Sequence, residues 1–217
     1  MAKRETVVIS RLALARLPYY LQYLKQLAAR GIRLVSAPAI AEYFQYNEVQ
    51  VRKDLAAVST TRGRPKTGFE VRALIRDMED FLGYNNADDA VLVGVGALGR
   101  ALLSYKGFEE YGLTVVAAFE TDPAKIGQEL ESVKILPFSS LAGLCRRLKV
   151  PIGIVAVPAG QAQPVCDALV EGGVRAIWNF APVHLTAPPA VLVQNENMAA
   201  SLAMLCKHLQ AGAKQNQ

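Results

Sequence analysis

The sequence predicts a two-part α/β chain: a short helical module of helix-turn-helix type, followed by a larger domain on a parallel sheet. Three observations carry this. Apolar residues recur with helical spacing through the first 85 or so of the 217 residues. Short β-branched runs then alternate with helical segments, the pattern of a parallel sheet with helices on its faces. Between them lies the polar, turn-prone stretch Asn85-Asn86-Ala87-Asp88-Asp89. The expected domains are therefore 1–85 and 86–217.

In the first domain, Tyr20, Tyr23, Leu24, Leu27 and Ala28 fall on one helical face. Pro18 suits the first turn of that helix and Gly31 its end. Residues 36–59 then read as helix, turn, helix. Ser36 is the N-cap of a helix through Phe44, the turn lies at Gln45-Tyr46-Asn47, and the next helix is Glu48 to Leu55. Val51 and Leu55 pack inward, leaving Gln50, Arg52 and Lys53 to project outward. Thr60 to Gly68 follows, with the cations Arg62, Arg64 and Lys66 and the glycines Gly63 and Gly68. Such a loop can reach phosphates or a minor groove, as the wing of a winged helix does.

In the second domain the expected strands are Ala90-Val91-Leu92-Val93, Leu113 to Phe119, Gly153 to Val157, Ala176-Ile177-Trp178 and Ala190 to Val193. Helices separate the first four. The first strand runs into Gly94-Val95-Gly96-Ala97-Leu98-Gly99, and the second ends on Glu120. A G-x-G-x-x-G loop between strand and helix, with an acid about 20 residues on, is the dinucleotide fingerprint of a Rossmann domain. Gly94 permits the turn, Gly96 lets backbone amides approach a pyrophosphate, and Gly99 allows close helix–strand packing. Glu120 accepts from ribose hydroxyls and repels a 2′-phosphate, which favours NAD(H) over NADP(H). Val157-Pro158-Ala159 and Asn179-Phe180-Ala181-Pro182 end two further strands and are the expected walls for the nicotinamide half.

Composition narrows the class. Hydrophobic residues make up 52% and charged residues 20%, which excludes a disordered chain. No apolar run reaches the ~20 residues of a membrane helix, and Met1 to Glu5 lack the apolar core of a signal peptide. A cytoplasmic protein without a membrane partner is expected. Cys145, Cys166 and Cys206 have no metal-ligand spacing, so reduced thiols and no metal are expected. Residues 1–85 carry a net charge of +6 and residues 86–217 a net of −1. The basic half suggests an anionic partner, and an outward Gln, Arg and Lys on a second helix suggest double-stranded DNA. The nucleotide module leaves only about 20 residues after it, and neither His184 nor His208 has an orienting acid nearby. That argues for a sensor, not an enzyme.

The chain resembles the Rex family of bacterial redox-sensing transcriptional repressors. The matching stretches are Arg16-Leu17-Pro18 leading into Tyr23-Leu24, Gln50 to Leu55, Gly94 to Gly99, and Tyr105-Lys106-Gly107-Phe108. They continue with Ala117 to Pro123, Val157-Pro158-Ala159 and Asn179 to Pro182. The resemblance covers about residues 8–210. It implies a homodimer on a palindromic operator, with an N-terminal winged helix, a C-terminal Rossmann domain, and a helix at about 197–209 exchanged between subunits beside the cofactor. It also implies repression when NAD⁺ is abundant and release when NADH accumulates.

The departures from the family pattern are specific. Ala56-Ala57-Val58-Ser59 and the recast wing replace a Ser-Tyr-Phe-Gly stretch and a longer glycine-rich loop. Glu120 stands where Asp is usual. Gln22 and Asn197 replace an Arg and an Asp that the family is thought to pair, in a network whose third member, Tyr105, is retained. Met198 takes the place of a common aromatic and can still pack near a nicotinamide ring. Two other readings stay open on the sequence alone. One is a small Rossmann nucleotide- or CoA-binding enzyme subunit whose basic half contacts a partner protein. The other is a DNA-binding protein that holds NAD(H) only structurally.

Overall fold

The computed structural model of the chain describes residues 9–61, 68–86 and 88–215, with side chains as far as 210. It divides into two compact units, Met1–Asn86 and Ala87–Gln217.

The first unit begins with α1 (Arg11–Ala29), capped by Ser10, whose hydroxyl accepts from the Ala13 N–H at 3.1 Å. Pro18 sits inside this helix and not in its first turn. The expectation failed because Arg11 to Leu17 is itself helix-forming and capped, so the helix starts two turns earlier. Leu17, Tyr20, Leu21, Leu24 and Leu27 form its buried stripe. After Gly31 (φ +76°) comes β1 (Leu34–Val35). Then α2 (Ala37–Phe44) is capped by Ser36, which accepts from the Ala39 N–H at 3.2 Å. Gln45 closes it in the left-handed region, and Asn47 caps α3 (Glu48–Val58). β2 (Phe69–Glu70) pairs antiparallel with β1, and α4 (Val71–Leu82) packs Leu74 and Met78 into the same core. Gly68 is required here, because a Cβ on it would lie 2.2 Å from the Val35 carbonyl oxygen.

α3 is tied to α1 by a buried charge cluster. Arg16 Nε and Nη2 donate to the two Asp54 carboxylate oxygens at 2.8 and 3.0 Å, and the Tyr20 hydroxyl donates to the same carboxylate at 3.1 Å. Asp54 is only 5% exposed. Burial, then the Asp54 charge, pushes the Tyr20 phenol up from 10 to about 12.

The second unit is a seven-stranded sheet among the described residues, ordered β5-β6-β4-β3-β7-β8-β9. The strands are β3 (Asp88–Val93), β4 (Leu113–Glu120), β5 (Glu129–Leu130), β6 (Val133–Pro137), β7 (Ile152–Val155), β8 (Ala176–Asn179) and β9 (Leu192–Asn195). All pairings are parallel except β5 with β6. On one face lie α7 (Leu141–Leu148) and α8 (Ala159–Glu171), packed on Val91, Phe119 and Val155. On the other, α5 (Ala97–Leu103) joins Leu92, Ile154, Trp178 and Phe180, with α6 (Gly107–Glu110) close by. The chain ends in α9 (Met198–Gln215).

Three strand expectations need correction. β6 and β5 were missed, because Val133 to Pro137 carries a lysine and ends on proline, and of its residues only Ile135 is buried. Ile152–Val155 begins and ends before the expected Gly153 to Val157, since the chain turns out toward Pro158. The last strand is Leu192–Asn195, not Ala190 to Val193. Its exposed and half-buried residues at the sheet edge leave no clear apolar period.

The Arg16–Asp54 pair makes two predictions. Asp54→Ala strips the partly exposed Arg16 guanidinium of its carboxylate and should lower stability by less than the ~3–5 kcal/mol of a fully buried pair, whereas Arg16→Met with Asp54→Leu should recover most of the loss; denaturant melts of the three proteins check this. Tyr20 has its folded pKa raised, so its contribution is complete below pH 10 and is lost as pH rises toward 12. Melts between pH 9 and 12 should fall more steeply for the parent than for Tyr20→Phe.

Candidate functional site

The carboxyl ends of β3, β4 and β7 form the first site. The chain runs outward from β3 to β4 and β6, then returns to place β7 on the other side of β3. This reversal opens a crevice beyond β3, where nucleotides bind in such sheets. Gly94, the first residue of the loop, has φ +98°, and a Cβ on it would meet the Ala156 carbonyl oxygen at 2.5 Å. Gly99 is more confined still: its Cβ would lie 1.9 Å from the Gly94 carbonyl oxygen. Gly96 differs from both. It is exposed, and a Cβ there would meet nothing within 4 Å. Two glycines thus shape the loop, while the middle one faces open space where a phosphate can approach the backbone. Val95 is buried, Ala97 exposed and Leu98 half-buried.

Glu120 ends β4 and closes the loop. Its Oε2 accepts from the Val95 N–H at 3.0 Å and from Lys125 Nζ at 3.3 Å, and its Oε1 accepts from the Thr121 N–H at 2.7 Å. Burial pushes its pKa up, but the Thr121, Val95 and Asp122 backbone donors and Lys125 outweigh this and hold it below the ordinary value. The carboxylate keeps 13% side-chain exposure, enough to meet a ligand hydroxyl. Beside it lies a cavity of about 260 Å³ whose lining includes Gly94, Phe119, Glu120, Phe138, Val157 and Pro164. Phe138, Gln161 and Pro164 were not singled out from the sequence. Phe138 follows the missed strand β6, and Gln161 and Pro164 lie on α8, so only the crossover geometry brings them here.

The other wall residues lie farther along the same edge. Pro158 caps α8 and Ala159 begins it, both exposed. The Asn179 side chain is fully buried. Its Nδ2 donates to the Val183 carbonyl and to Asn195 Oδ1, each at 2.8 Å, and its Oδ1 accepts from the Ala181 N–H at 3.0 Å. It therefore shapes the turn through Phe180, Ala181 and Pro182. Phe180 is half-buried, Ala181 buried and Pro182 exposed. Tyr105 is 51% exposed and stacks edge-on against Phe108. Asn197 caps α9, its Oδ1 accepting from the Ala200 N–H at 3.0 Å, and Met198 is exposed at the first turn.

The second site is the exposed face of α3, in the first unit. Gln50, Arg52 and Lys53 all point to solvent, while Val51 and Leu55 are fully buried. Arg52 is paired with Glu48 one turn earlier. With its oxygen turned toward Arg16, the Gln50 amide accepts from Nη2 at 2.8 Å, which leaves its NH₂ to donate elsewhere. Arg16, Gln50, Lys53 and Asn47 line a groove of about 490 Å³ between the starts of α1 and α3. Ser36 uses its oxygen as a cap and keeps a hydroxyl proton to donate. Gln22 is exposed on α1. Arg62, Arg64 and Lys66 lie outside the described residues. The sequence reading missed the Arg16–Asp54 clamp, although both residues stand in motifs it had marked. The signal was an acid at the end of an otherwise basic stretch, Arg52-Lys53-Asp54.

Among the described residues no helix is long and apolar enough to cross a membrane, and no cluster of His, Cys, Asp or Glu can hold a metal. Cys145 and Cys166 are buried, and burial pushes the Cys145 thiol up to about 11.

A nucleotide-binding sheet joined to a helix-turn-helix unit defines a ligand-responsive DNA-binding regulator. Comparisons with known proteins agree. A family model described as "CoA binding domain" matches residues 85–183, and one described as "Putative DNA-binding protein N-terminus" matches residues 8–56. The redox-sensing transcriptional repressor Rex of Treponema denticola is 40% identical over 88% of this chain and 90% of its own length. That of Bacteroides fragilis is 37% identical over 95% and 93%. Two crystal structures of RSP, a Rex-family repressor, are similar. The complex with β-NAD⁺ and operator DNA has a TM-score of 0.90 at 28% identity over 96% of both chains. The complex with β-NADH has a TM-score of 0.86 at 27% identity over 96% of this chain and 98% of that one. The chain belongs to the Rex family of redox-sensing transcriptional repressors.

The glycines yield a contrast that separates ligand contact from folding. Gly96 has φ −80° and open space, so Gly96→Ala should leave stability unchanged or raise it by about 0.4–1 kcal/mol, while weakening NADH binding. Gly99→Ala should lower both. Thermal melts with calorimetric titration of NADH distinguish the two outcomes.

Proposed function

We infer that this chain is a transcriptional repressor that reads the NADH/NAD⁺ ratio, holding its operator with NAD⁺ or alone and leaving it when NADH binds. The single observation that carries this is the loop geometry: Gly94 and Gly99 confined, Gly96 open, and Glu120 bonded across to Val95. It is the arrangement a dinucleotide needs, in a chain of the Rex family. Gly94 to Gly99 receive the pyrophosphate, Glu120 a ribose, and Val157 to Ala159 with Phe180 to Pro182 the nicotinamide half. The cavity beside Phe119 and Phe138 suits the adenine. When bound, the nicotinamide supplies a ring that is cationic if oxidised and neutral if reduced. The chain's own residues place that ring and exclude water from it.

On the DNA side, Gln50, Arg52 and Lys53 read the major groove, with the wing cations Arg62, Arg64 and Lys66 and the Ser36 hydroxyl on the backbone. The protein works in the cytoplasm as a homodimer on a palindromic site. α9 is the exchanged helix: Leu202, Met204, Leu205 and Leu209 are 59–76% exposed and require a partner surface. Gln22, Tyr105 and Asn197 form the switch network, as neutral hydrogen bonds in place of a charge pair. The Asn197 oxygen caps α9, which leaves its NH₂ to donate elsewhere. NADH and operator binding are reciprocally linked, so NADH must favour the arrangement that DNA disfavours. The enzyme-subunit reading is not favoured, because the relatives that match over nearly the whole chain are repressors.

The test is fluorescence anisotropy of a labelled palindromic operator while NADH is titrated against constant NAD⁺. Release at low NADH is expected. Tight binding that ignores NADH would leave the nucleotide a structural part. The complex should also lose ~10³–10⁵ in affinity between 50 and 200 mM salt, the signature of 6–10 phosphate contacts.

A further inference from the structure

Trp178, the chain's one tryptophan, lies on β8. Its ring joins an aromatic row on the α5 face of the sheet, 5.0 Å from Phe180 and 5.7 Å from Phe108, which in turn stands 5.0 Å from Tyr105. The indole Nε1 donates to Glu196 Oε1 at 2.8 Å. Glu196 immediately follows β9, and its backbone N–H donates to the Asn179 carbonyl at 2.8 Å. Backbone and side chain together fix this carboxylate at the carboxyl edge of the sheet, beside Phe180. It is half-buried, and among the described residues it belongs to no ion pair. A fixed, half-buried carboxylate with a neutral donor and no paired cation keeps its capacity to attract one.

The sheet order says where one would arrive. Glu120 lies on β4, to one side of β3, whereas β7, β8 and β9 lie to the other. A dinucleotide with its phosphates at Gly94 to Gly99 and its adenosine ribose at Glu120 extends its other half over β7 and β8. Strands are spaced about 4.8 Å apart, so that half ends within a strand or two of the Trp178–Glu196 pair. The nicotinamide ring is cationic when oxidised and neutral when reduced. Only the oxidised ring gains Coulomb energy from a fixed negative charge nearby.

We propose that Glu196, held in place by Trp178, is a specificity-determining residue that supplies the negative charge favouring NAD⁺ over NADH in this site. The proposal rests on the redox-sensing reading above. Its consequence is a set point: removing the charge weakens the competitor NAD⁺, so NADH should release the operator at a lower NADH/NAD⁺ ratio.

Calorimetric titration of the full-length protein with NAD⁺ and with NADH, separately, tests it. Glu196→Gln keeps an acceptor for the indole and removes the charge. It should weaken NAD⁺ by about 5-fold, the low end of ordinary coupling for a partly exposed group, and leave NADH within about twofold. Glu196→Asp should retain most of the contrast. The Trp178 emission maximum reports whether the packing survives. If Glu196→Gln does not fold, Trp178→Phe keeps a ring, drops the donor, and should narrow the same ratio. Equal losses for both nucleotides, or no loss for either, overturn the proposal and leave Glu196 a structural tie. A parent protein that binds neither nucleotide sinks the redox-sensing reading as well. A parent that binds both and is released by NADH, with an unaltered ratio in Glu196→Gln, sinks this proposal alone.

Discussion

Gly99 packs so closely on Gly94 that a side chain on it would have no room. The missing Cβ of Gly99 would stand 1.9 Å from the Gly94 carbonyl oxygen, and that of Gly94 would collide with the Ala156 carbonyl. The first contact sets the start of α5 hard against the end of β3. The second lets β7 run beside β3 to its last residue, with Ala156 N–H on the Val93 carbonyl at 2.8 Å. From these two approaches follow the crevice, the direction of α5, and the reach of Glu120 across to the Val95 N–H. A side chain at either position would move the helix or the strand, and the pocket with it. The loop is therefore one packing solution shared by three elements.

That constraint explains which parts of the second unit were legible beforehand. Glycines at fixed spacing between a β-branched run and a helix are local in sequence, and their meaning is local too. Glu120 was legible because a strand of known length ends at it. The rest was not local. Phe138 and Pro164 enter the cavity only through crossovers, and β6 is hidden by Lys134 on its exposed side and Pro137 at its end. Asn179 shows the converse. Its place at the carboxyl end of β8 suggested a ligand contact, and its side chain also holds the following turn, with Val183, Asn195 and Ala181 as partners. A polar residue at a strand end can serve the loop that makes the pocket.

In the first unit, the helix-turn-helix was readable from Ser36, Asn47 and the Val51/Leu55 spacing, since caps and stripes are short-range signals. The clamp that orients α3 was not, because Arg16 and Asp54 are 38 residues apart and charged residues are usually solvated. The clamp is a costly way to hold a helix, because two charges must leave water and find each other. What it adds over an apolar contact is direction. A bidentate guanidinium–carboxylate pair fixes rotation as well as distance, and Gln50 is positioned by that same guanidinium. Fixed rotation sets which side chains of α3 face solvent, which a non-directional apolar contact would not do.

The two sites lie in separate units, and each unit has its own core. Leu17, Tyr20, Leu24, Leu55 and Met78 share one cluster, and the two faces of the sheet form others. A nucleotide that changes charge by one unit in the second core cannot repack the first. It can only shift an equilibrium between states of the protein, by the difference in its affinity for them. A switch of this kind needs contacts that are worth little individually and change together. Neutral hydrogen bonds, at about 1 kcal/mol each, are contacts of that size, and several changing at once amount to a tenfold to hundredfold change in an equilibrium.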